Sequence, residues 1–292
     1  QNSAFDIGSK TGTGANEIMK GFQEFVGKTG DLSTAQQSME QLAKIAKATG
    51  SSLTVITSAA AAVSNQLGDT PNKAQKLNEA MMVLAGESKL GAVPMRVLAA
   101  QAPKIVASAQ MFEGDIGANI AMLGGIAQET GLRGGVGSGA QAATAVQSLG
   151  QVFHTPGALK AFRAKGINVS GAGGKIRNLN DIIIESLQKT QHGNDRAASN
   201  ADLNKLFMGQ RSGRAIAGYE GLFRSTYASA SGTDQERMAE ATAAVRKEME
   251  RLTRAAMDQR EVEESFTRAM KTGQSQAELW NNATQKLTKE VQ

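Results

Sequence analysis

The chain contains two histidines, which are candidates for imidazole chemistry, and it has no cysteine that could supply a thiolate. His154 and His192 lie far apart in the sequence, and neither belongs to a His-x-x-x-His pair. Because a zinc site needs three or four converging ligands, we expect each histidine to be a capping or surface residue. No Gly-x-Ser-x-Gly nucleophile turn of the hydrolase type occurs. The sequence therefore predicts no catalytic, cofactor-binding or metal-binding residue, and a protein that is not an enzyme.

A dense run of glycines at residues 131–139 is the one stretch that could cradle a phosphate. Five of its nine residues are glycine, and it includes Gly135-Val-Gly137-Ser-Gly139. A nucleotide-binding loop would need a preceding strand and a Gly-Lys-Ser/Thr ending, and the sequence has neither. We therefore predict a flexible, glycine-rich loop or hinge, and no nucleotide cofactor.

The net charge of +5 is concentrated in the middle of the chain. Residues 131–228 contain 12 basic and 5 acidic side chains, whereas the segments before and after it are almost balanced. Arg211, Arg214 and Arg224 lie near Tyr219 and Phe223, although no recognisable nucleic-acid reader is present. Two interpretations stay open: a solvated face, or a surface that attracts an acidic protein wall or DNA without sequence specificity. The Glu261, Glu263 and Glu264 carboxylates are expected to be solvated on a charged helix.

The elements that carry these residues have the pattern of helices ended by glycine. Ser33 and Gln36 have the spacing of a capping box, and Gly50 follows the apolar stripe that comes next. Thr70-Pro71 and Thr155-Pro156 each place proline at a first helical position. Pro103 is expected to kink or break its helix. Because glycine destabilises a helix interior by about 1 kcal/mol, we expect most of the 32 glycines at helix ends.

Residues 167–177 are the one place where the pattern indicates a turn or a small hairpin. The run from Asn180 to Leu187 follows, and its three isoleucines also suit a strand. An Asx cap at Asn180 and the position of Leu187 favour a helix. Methionines are frequent in the first half of the chain and are expected to fill the core, with a partner-binding face as the alternative. Small apolar residues give a thin core, which predicts elongated packing or support from partner chains.

The C-terminal part differs from the rest. Thr233 and Glu236 form a capping box ahead of about forty residues without Gly or Pro. Apolar side chains then recur at the four-three-four spacing of a coiled-coil seam, and they are Val245, Met249, Leu252 and Ala256. Gly273 is expected to end this helix. Ser275 and Glu278 cap a final helix that carries Trp280 and Leu287. The seam predicts association with further copies of the chain.

The fold class predicted from these patterns is all-α. A succession of short, glycine-jointed helices forms an elongated core, and a long coiled-coil-like helix follows it. The predicted organisation is a helical lead-in at 1–30, a helical core with the glycine-rich loop at 31–228, and the long helix with a short terminal helix at 229–292. We find no signal peptide and no run of the ~18 apolar residues needed to span a bilayer. Because the chain starts at Gln1 and not at Met, we expect it to be a piece of a longer polypeptide.

Three stretches of the core resemble the conserved core of phage tail tape measure proteins. They are Ala161-Phe-Arg-Ala-Lys-Gly-Ile-Asn-Val169, Gly174-Lys-Ile-Arg-Asn-Leu-Asn-Asp-Ile-Ile183 and Leu203-Asn-Lys-Leu-Phe-Met-Gly209. That family shows a lysine–glycine–isoleucine, a glycine-led turn, a leucine–x–aspartate–isoleucine helix start and a later leucine–phenylalanine–glycine. The resemblance covers roughly residues 30–225. The turn Ser170-Gly-Ala-Gly-Gly174 departs from the family pattern in being richer in glycine.

The resemblance implies a virion protein in the tail interior or at its tip, made in the host cytoplasm during assembly. It implies a protein that sets tail length and leaves with or ahead of the DNA. The partners implied are other copies of the chain, three in many tails, together with tail tube and tail-tip or baseplate hub proteins. Nonspecific DNA contact is possible, and this segment does not support a membrane contact. The alternatives are a helical scaffold of a secretion or other tubular assembly, and a muralytic enzyme.

Overall fold

The computed structural model of the chain describes residues 2–133, 138–207 and 210–291, and these residues form an all-α structure. This confirms the predicted fold class. Fifteen α-helices occupy the described residues. Their bounds are α1 Asn2–Thr11, α2 Ala15–Thr29, α3 Leu32–Thr49, α4 Leu53–Leu67, α5 Lys73–Lys89, α6 Met95–Ala109, α7 Ile116–Arg133, α8 Gly139–Val152, α9 Pro156–Ala164, α10 Leu179–Thr190, α11 Arg196–Phe207, α12 Gln210–Ser229, α13 Asp234–Met257, α14 Arg260–Met270 and α15 Gly273–Val291.

The helices belong to two units, and each unit is built from segments that are separate in the sequence. Unit 1 combines Gln1–Lys89, Pro94–Val106 and Met257–Gln292, and unit 2 combines Leu90–Val93 with Ala107–Ala256. The predicted boundaries at residues 30 and 228 do not coincide with this division. The three predicted segments are each continuous in the sequence, and they stay a prediction about the organisation of the chain.

Unit 1 is a helical bundle whose core lies between its N-terminal helices. Helix α2 packs against α4, and α3 packs against α5. Ile18, Phe25, Met39 and Leu42 are completely buried there. Helix α14 packs on α3 and α5, and α15 packs on α1. The C-terminal helices therefore complete the bundle that the N-terminal helices begin.

Unit 2 has a core of helices α7, α8 and α12, which pack on one another, and a second layer in which α11 packs against α9 and α10. A chain of aromatic rings connects its elements. Phe153 contacts Phe112 at a centroid distance of 6.1 Å and Phe162 at 5.6 Å, and Phe162 contacts Phe207 at 5.4 Å. All four side chains are buried, so the rings fix the position of α9 against α11.

Several helix ends follow the local rules that the sequence indicates. Gly30 and Gly50 adopt the left-handed conformation directly after α2 and α3, with φ of 68° and 65°. Pro156 is the first residue of α9. The Thr233 Oγ1 accepts a hydrogen bond from the Glu236 amide, and a Glu236 carboxylate oxygen accepts one from the Thr233 amide. The predictions for Gly50, Pro156 and the Thr233–Glu236 capping box are confirmed, and each depends on residues within one turn of the helix end.

Other predicted ends are displaced. Asp31 and not Ser33 caps α3, since its carboxylate accepts a hydrogen bond from the Thr34 amide. Helix α5 begins after Pro71, at Lys73, because Asn72 takes a positive φ of 56°. Pro103 was predicted to kink or break its helix. Helix α6 runs through it, so the proline does not break the helix.

Two further caps are displaced in the same way. Asn178, two residues before Asn180, caps α10, and its side chain accepts hydrogen bonds from the backbone of the first turn. The final helix α15 begins at Gly273, and the Thr272 hydroxyl accepts a hydrogen bond from the Ser275 amide. Ser275 is therefore not the cap itself.

The glycine-rich segment 131–139 is more helical than predicted. Helix α7 continues through Gly131 to Arg133, and α8 begins at Gly139. The prediction of a flexible loop is wrong for these ends, and its centre, residues 134–137, lies outside the described residues. Helix α7 also runs through Gly125, where an added Cβ would lie 3.2 Å from the Leu252 Cβ. Some glycines therefore allow close helix packing and do not end helices.

The predicted forty-residue C-terminal helix is two helices. Helix α13 ends at Met257 and α14 begins at Arg260. The four side chains of the predicted seam are buried within unit 2: Val245, Met249, Leu252 and Ala256. They are not available to a second copy, because the chain's own helices already cover them.

The short segment before α10 forms the predicted turn. The Arg177 amide donates to the Val169 carbonyl at 3.0 Å, and the Gly171 amide donates to the Lys175 carbonyl at 2.8 Å. A three-residue 3-10 turn, Ala172–Gly174, closes the loop. The run of three isoleucines that follows lies in helix α10, as predicted.

Two carboxylates are buried in the cores. The Glu87 side chain, on α5 in unit 1, is completely buried, and burial raises its pKa well above the usual range. Glu129, on α7 in unit 2, is also buried, and its pKa is raised by the same cause. The Arg133 guanidinium donates to the Glu129 carboxylate at 2.7 Å. A Cβ added at Gly218 on α12 would lie 2.6 Å from that carboxylate, so α12 can pack there because residue 218 is glycine.

Candidate functional site

Five of the twelve basic side chains of residues 131–228 lie on one layer of unit 2, formed by α9, the end of α10 and α11. On α9, Ala158 and Phe162 are buried in the core. Lys160 and Arg163 are exposed. They are three residues apart and therefore share one face of the helix. This face is the outer side of a helix that the aromatic rings hold in place.

Three basic side chains contact a single carboxylate, that of Asp202, beside this helix. The Lys165 ammonium donates to Asp202 at 2.5 Å, and the Lys205 ammonium donates to it at 3.2 Å. The His192 Nε2 lies 2.8 Å from the same carboxylate. Hydrogen bonds from Lys165, His192 and Lys205 hold the pKa of Asp202 well below its usual range. Asp202 stays ionised and is outnumbered by its cationic partners.

A further lysine lies at the C-terminal end of α9. The Lys189 ammonium, from the last turn of α10, donates to the Gly166 carbonyl at 3.4 Å. A cation near the carboxyl end of a helix is stabilised by the helix dipole. We name the group formed by Lys160, Arg163, Lys165, Lys189, His192, Asp202 and Lys205 the Asp202 cluster. Of its five Lys and Arg side chains, Lys165 and Lys205 contact the Asp202 carboxylate.

The acidic groups of the adjoining segments, Asp195 and Glu185, are fewer than the five cations of the cluster. The Asp195 carboxylate accepts a hydrogen bond from the Ala198 amide and caps α11. The Glu185 carboxylate accepts a hydrogen bond from Arg177 at 2.6 Å. The Asp202 cluster therefore keeps a net positive charge and can attract a polyanion through lysine and arginine contacts that salt would screen.

The three arginines that the sequence indicated do not form this surface together. Arg214 is exposed, whereas Arg224 is bound by Glu220 at 3.0 Å and donates to Asn200 at 2.6 Å. The side chain of Arg211 lies outside the described residues. The neighbouring aromatic residues, Tyr219 and Phe223, are buried and cannot stack on bases. The sequence correctly placed the excess positive charge in residues 131–228. It could not show which helices of that segment pack in one layer.

A cleft of about 510 Å³ lies elsewhere in unit 2, between the loop before α11 and helix α12. Arg196, Arg224 and Glu220 line it together with Asn194 and Tyr227. The Arg237 guanidinium lies 4.1 Å from the centre of the Tyr227 ring and donates to the Tyr227 carbonyl, which fixes one wall. Charges of both signs line the cleft, so it shows no preference for an anion.

The two histidines have unrelated surroundings. His154 is exposed, and its Nε2 lies 3.5 Å from the Met111 sulfur, whereas His192 belongs to the Asp202 cluster. Within the described ranges, no three His, Cys, Asp or Glu side chains converge in a way that could hold a metal ion. In the same residues, no helix has the length and apolar character that a membrane span requires.

The glutamates of α14 are solvated, as predicted. Glu261 pairs with Arg268 at 3.0 Å and is half exposed. Of five methionines in the first half that were expected to fill the core, four are buried, which confirms their packing role: Met81, Met82, Met95 and Met122. The fifth, Met111, is half-buried.

The sequence matches the profile of one protein family, described as phage-related minor tail protein, over residues 1–207. This match covers helices α1 to α11 and includes every residue of the Asp202 cluster. No curated protein and no solved structure matches the chain.

Proposed function

Because the chain belongs to the family of phage-related minor tail proteins, we propose that it is a tape measure segment of a phage tail. In this proposal it lies in the tail tube or at the tail tip, takes part in setting tail length and assists genome ejection. A structural role in the tail is consistent with a protein that is not an enzyme. Its proposed partners are other copies of itself and the tube and hub proteins of the tail.

One observation supports the tape measure role above the others. The residues that carry the resemblance fold into a single layer of unit 2. Phe162 packs on Phe207 at 5.4 Å, and the Arg177 amide donates to the Val169 carbonyl across the turn. The three separate stretches of the resemblance thus contact one another, which is expected if they are parts of one conserved structural element. Met208 and Gly209, at the end of the third stretch, lie outside the described residues.

We also propose that the Asp202 cluster contacts the phosphate backbone of the passing genome. Its five cations are spread over three helices and are not arranged around one pocket, which suits an extended polyanion better than a small ligand. The aromatic residues of the layer are buried, so base stacking and sequence reading are not part of the proposal. Such a contact would be weak, nonspecific and strongly dependent on salt.

The DNA contact is tested by measuring the affinity of the purified chain for a fluorescent 20-base-pair duplex over a range of NaCl concentrations. Each lost phosphate contact lowers the slope of log K against log salt by about 0.9. The double variant Lys160→Gln/Arg163→Gln should therefore bind more weakly, with a slope smaller by about 1.8. Asp202→Asn removes the one carboxylate and should strengthen binding.

The matched control is Lys20→Gln/Lys104→Gln, which removes the same charge from exposed positions of unit 1. It should change the affinity and the slope much less. Equal losses in the two double variants would mean that overall charge governs binding, and the cluster would not be the contact site.

The position in the tail is tested by protease protection of intact particles. A chain inside the tail should resist an external protease until ejection is triggered, and become cleavable afterwards. Cleavage in intact particles at the rate seen for the purified chain would contradict the interior location.

A further inference from the structure

The terminal helix α15 has an unusual orientation in unit 1, because its inner face is polar. Asn282 is buried, donates to the Thr13 carbonyl at 2.9 Å and accepts a hydrogen bond from the Ala15 amide at 3.1 Å. Lys286 pairs with Asp6 at 2.7 Å. These polar contacts bind α15 to α1 and to the turn that follows α1.

The outer face of the same helix carries two large apolar side chains, Trp280 and Leu287. Trp280 is 75% exposed and Leu287 is 62% exposed, the highest values among the large apolar side chains of the described residues. Ala277 and Thr284 are exposed between and beside them. A helix of a globular protein normally turns its apolar stripe towards the core, so this exposed stripe indicates a surface that a partner covers.

The spacing of the stripe identifies the kind of partner. Ala277, Trp280, Thr284 and Leu287 follow one another at three, four and three residues, which is the a/d spacing of a coiled coil. This spacing fits a second helix with the same repeat. In the described part of α13, the other seam with this kind of spacing is buried in unit 2.

The charge around the stripe favours a second copy of this chain. The exposed flanking residues Gln276, Asn281, Gln285 and Thr288 are uncharged. Charged flanking residues select partners of opposite charge, whereas neutral ones let two identical stripes meet without repulsion. For a chain with a net charge of +5, such a neutral strip is a favourable place for self-association.

We propose that two or more copies of the chain associate through this face of α15, which we name the Trp280 stripe. Three-quarters of a tryptophan surface is on the order of 150 to 200 Å². Two stripes together therefore bury much less than the roughly 1,200 Å² of a stable interface. The contact is weak for free chains. The contact is stronger where copies are held side by side at a high local concentration. The proposal rests on the proposed tail function for that arrangement of copies.

The experiment uses the fact that Trp280 is the only tryptophan of the chain. Its emission wavelength and its quenching by iodide are measured on the purified chain from 1 to about 500 µM, with sedimentation velocity on the same samples. Emission should shift to shorter wavelengths and quenching should fall as the concentration rises, while the sedimentation coefficient increases. Leu287→Gln should abolish all three changes, and it leaves Trp280 in place as the fluorescent reporter.

The matched control is Leu132→Gln, which replaces a leucine that is 54% exposed on α7 of unit 2. It should associate like the unchanged chain. Far-UV circular dichroism of both variants shows whether their helices remain folded. Emission that does not depend on concentration, or equal association of the Leu287→Gln variant, would overturn the proposal.

A lipid surface is the other possible occupant of the stripe. A blue shift of Trp280 on neutral phosphatidylcholine vesicles, at concentrations where the chain sediments as a monomer, would also overturn the proposal. All these readouts come from the purified chain. Failure of the tail function itself would be seen in particles, so the two failures can be distinguished.

Discussion

Substituting Leu252 tests whether the α13 seam is part of the fold of a single chain. Leu252 is 1% exposed, and its Cβ faces the backbone of α7 at Gly125. Leu252→Ala removes three buried carbon atoms, and a loss of about 0.8 kcal/mol for each gives about 2.4 kcal/mol. The cavity left behind raises the expected loss of unfolding free energy to about 3 to 4 kcal/mol.

The loss is measured by urea denaturation, with near-UV circular dichroism of the tyrosines as the signal. Both tyrosines of the chain, Tyr219 and Tyr227, are buried in unit 2 and therefore report its packing. Leu132→Ala is the control, and it should change the free energy by less than about 0.5 kcal/mol because Leu132 is exposed.

A loss below about 1 kcal/mol for Leu252→Ala would refute the assignment of Leu252 to the core. The assignment would also be refuted if the Leu252→Ala variant unfolded at the same urea concentration as the unchanged chain but sedimented with a lower mass than that chain. That result would place the seam between chains, as the sequence pattern alone had indicated.

Two further substitutions test buried groups. Burial raises the pKa of Glu87, so the unfolded chain releases this proton at lower pH than the folded chain, and folding loses stability as the pH rises above about 4.5. Glu87→Gln should therefore gain stability relative to the unchanged chain from pH 5 to pH 8 in thermal melts; parallel curves would contradict this. Gly218→Ala should destabilise unit 2 by about 1 to 3 kcal/mol, because the new Cβ would lie 2.6 Å from a Glu129 oxygen. Gly221→Ala on the same helix, with no atom within 4 Å of the added carbon, should be neutral or slightly stabilising, and similar effects of the two would contradict the close approach.

Features determined within one helical turn were predictable from the sequence. The capping box at Thr233, the proline at the first position of α9 and the glycine end at Gly50 depend on neighbouring residues alone. The predicted cap of α10 was wrong by two residues. Asn178 and Asn180 have the same side chain, and Asn178 is the one that caps the helix. At Pro103 the helix continues through the proline, so the alternative of a break was wrong.

Features that depend on which helices pack together could not be predicted in this way. The α13 seam has coiled-coil spacing, but spacing alone does not show whether the covering helix comes from the same chain. The Asp202 cluster joins residues from Lys160 to Lys205 that are spread over three helices. Sequence proximity pointed instead to Arg211, Arg214 and Arg224, and Arg224 is turned towards Glu220. The helix periodicity of α15 was visible, but its outward orientation depends on the buried contacts of Asn282.

The tape measure role is tested most directly by tail length in electron micrographs of particles with an altered chain. Four heptads of helical sequence, 28 residues, are inserted into the turn at residues 230–232 between α12 and α13. At 1.5 Å per residue, a helix of this length along the tail axis should lengthen the tails by up to about 42 Å, with one narrow distribution of lengths. Tails that assemble at their original length with the insertion present would contradict the proposed function.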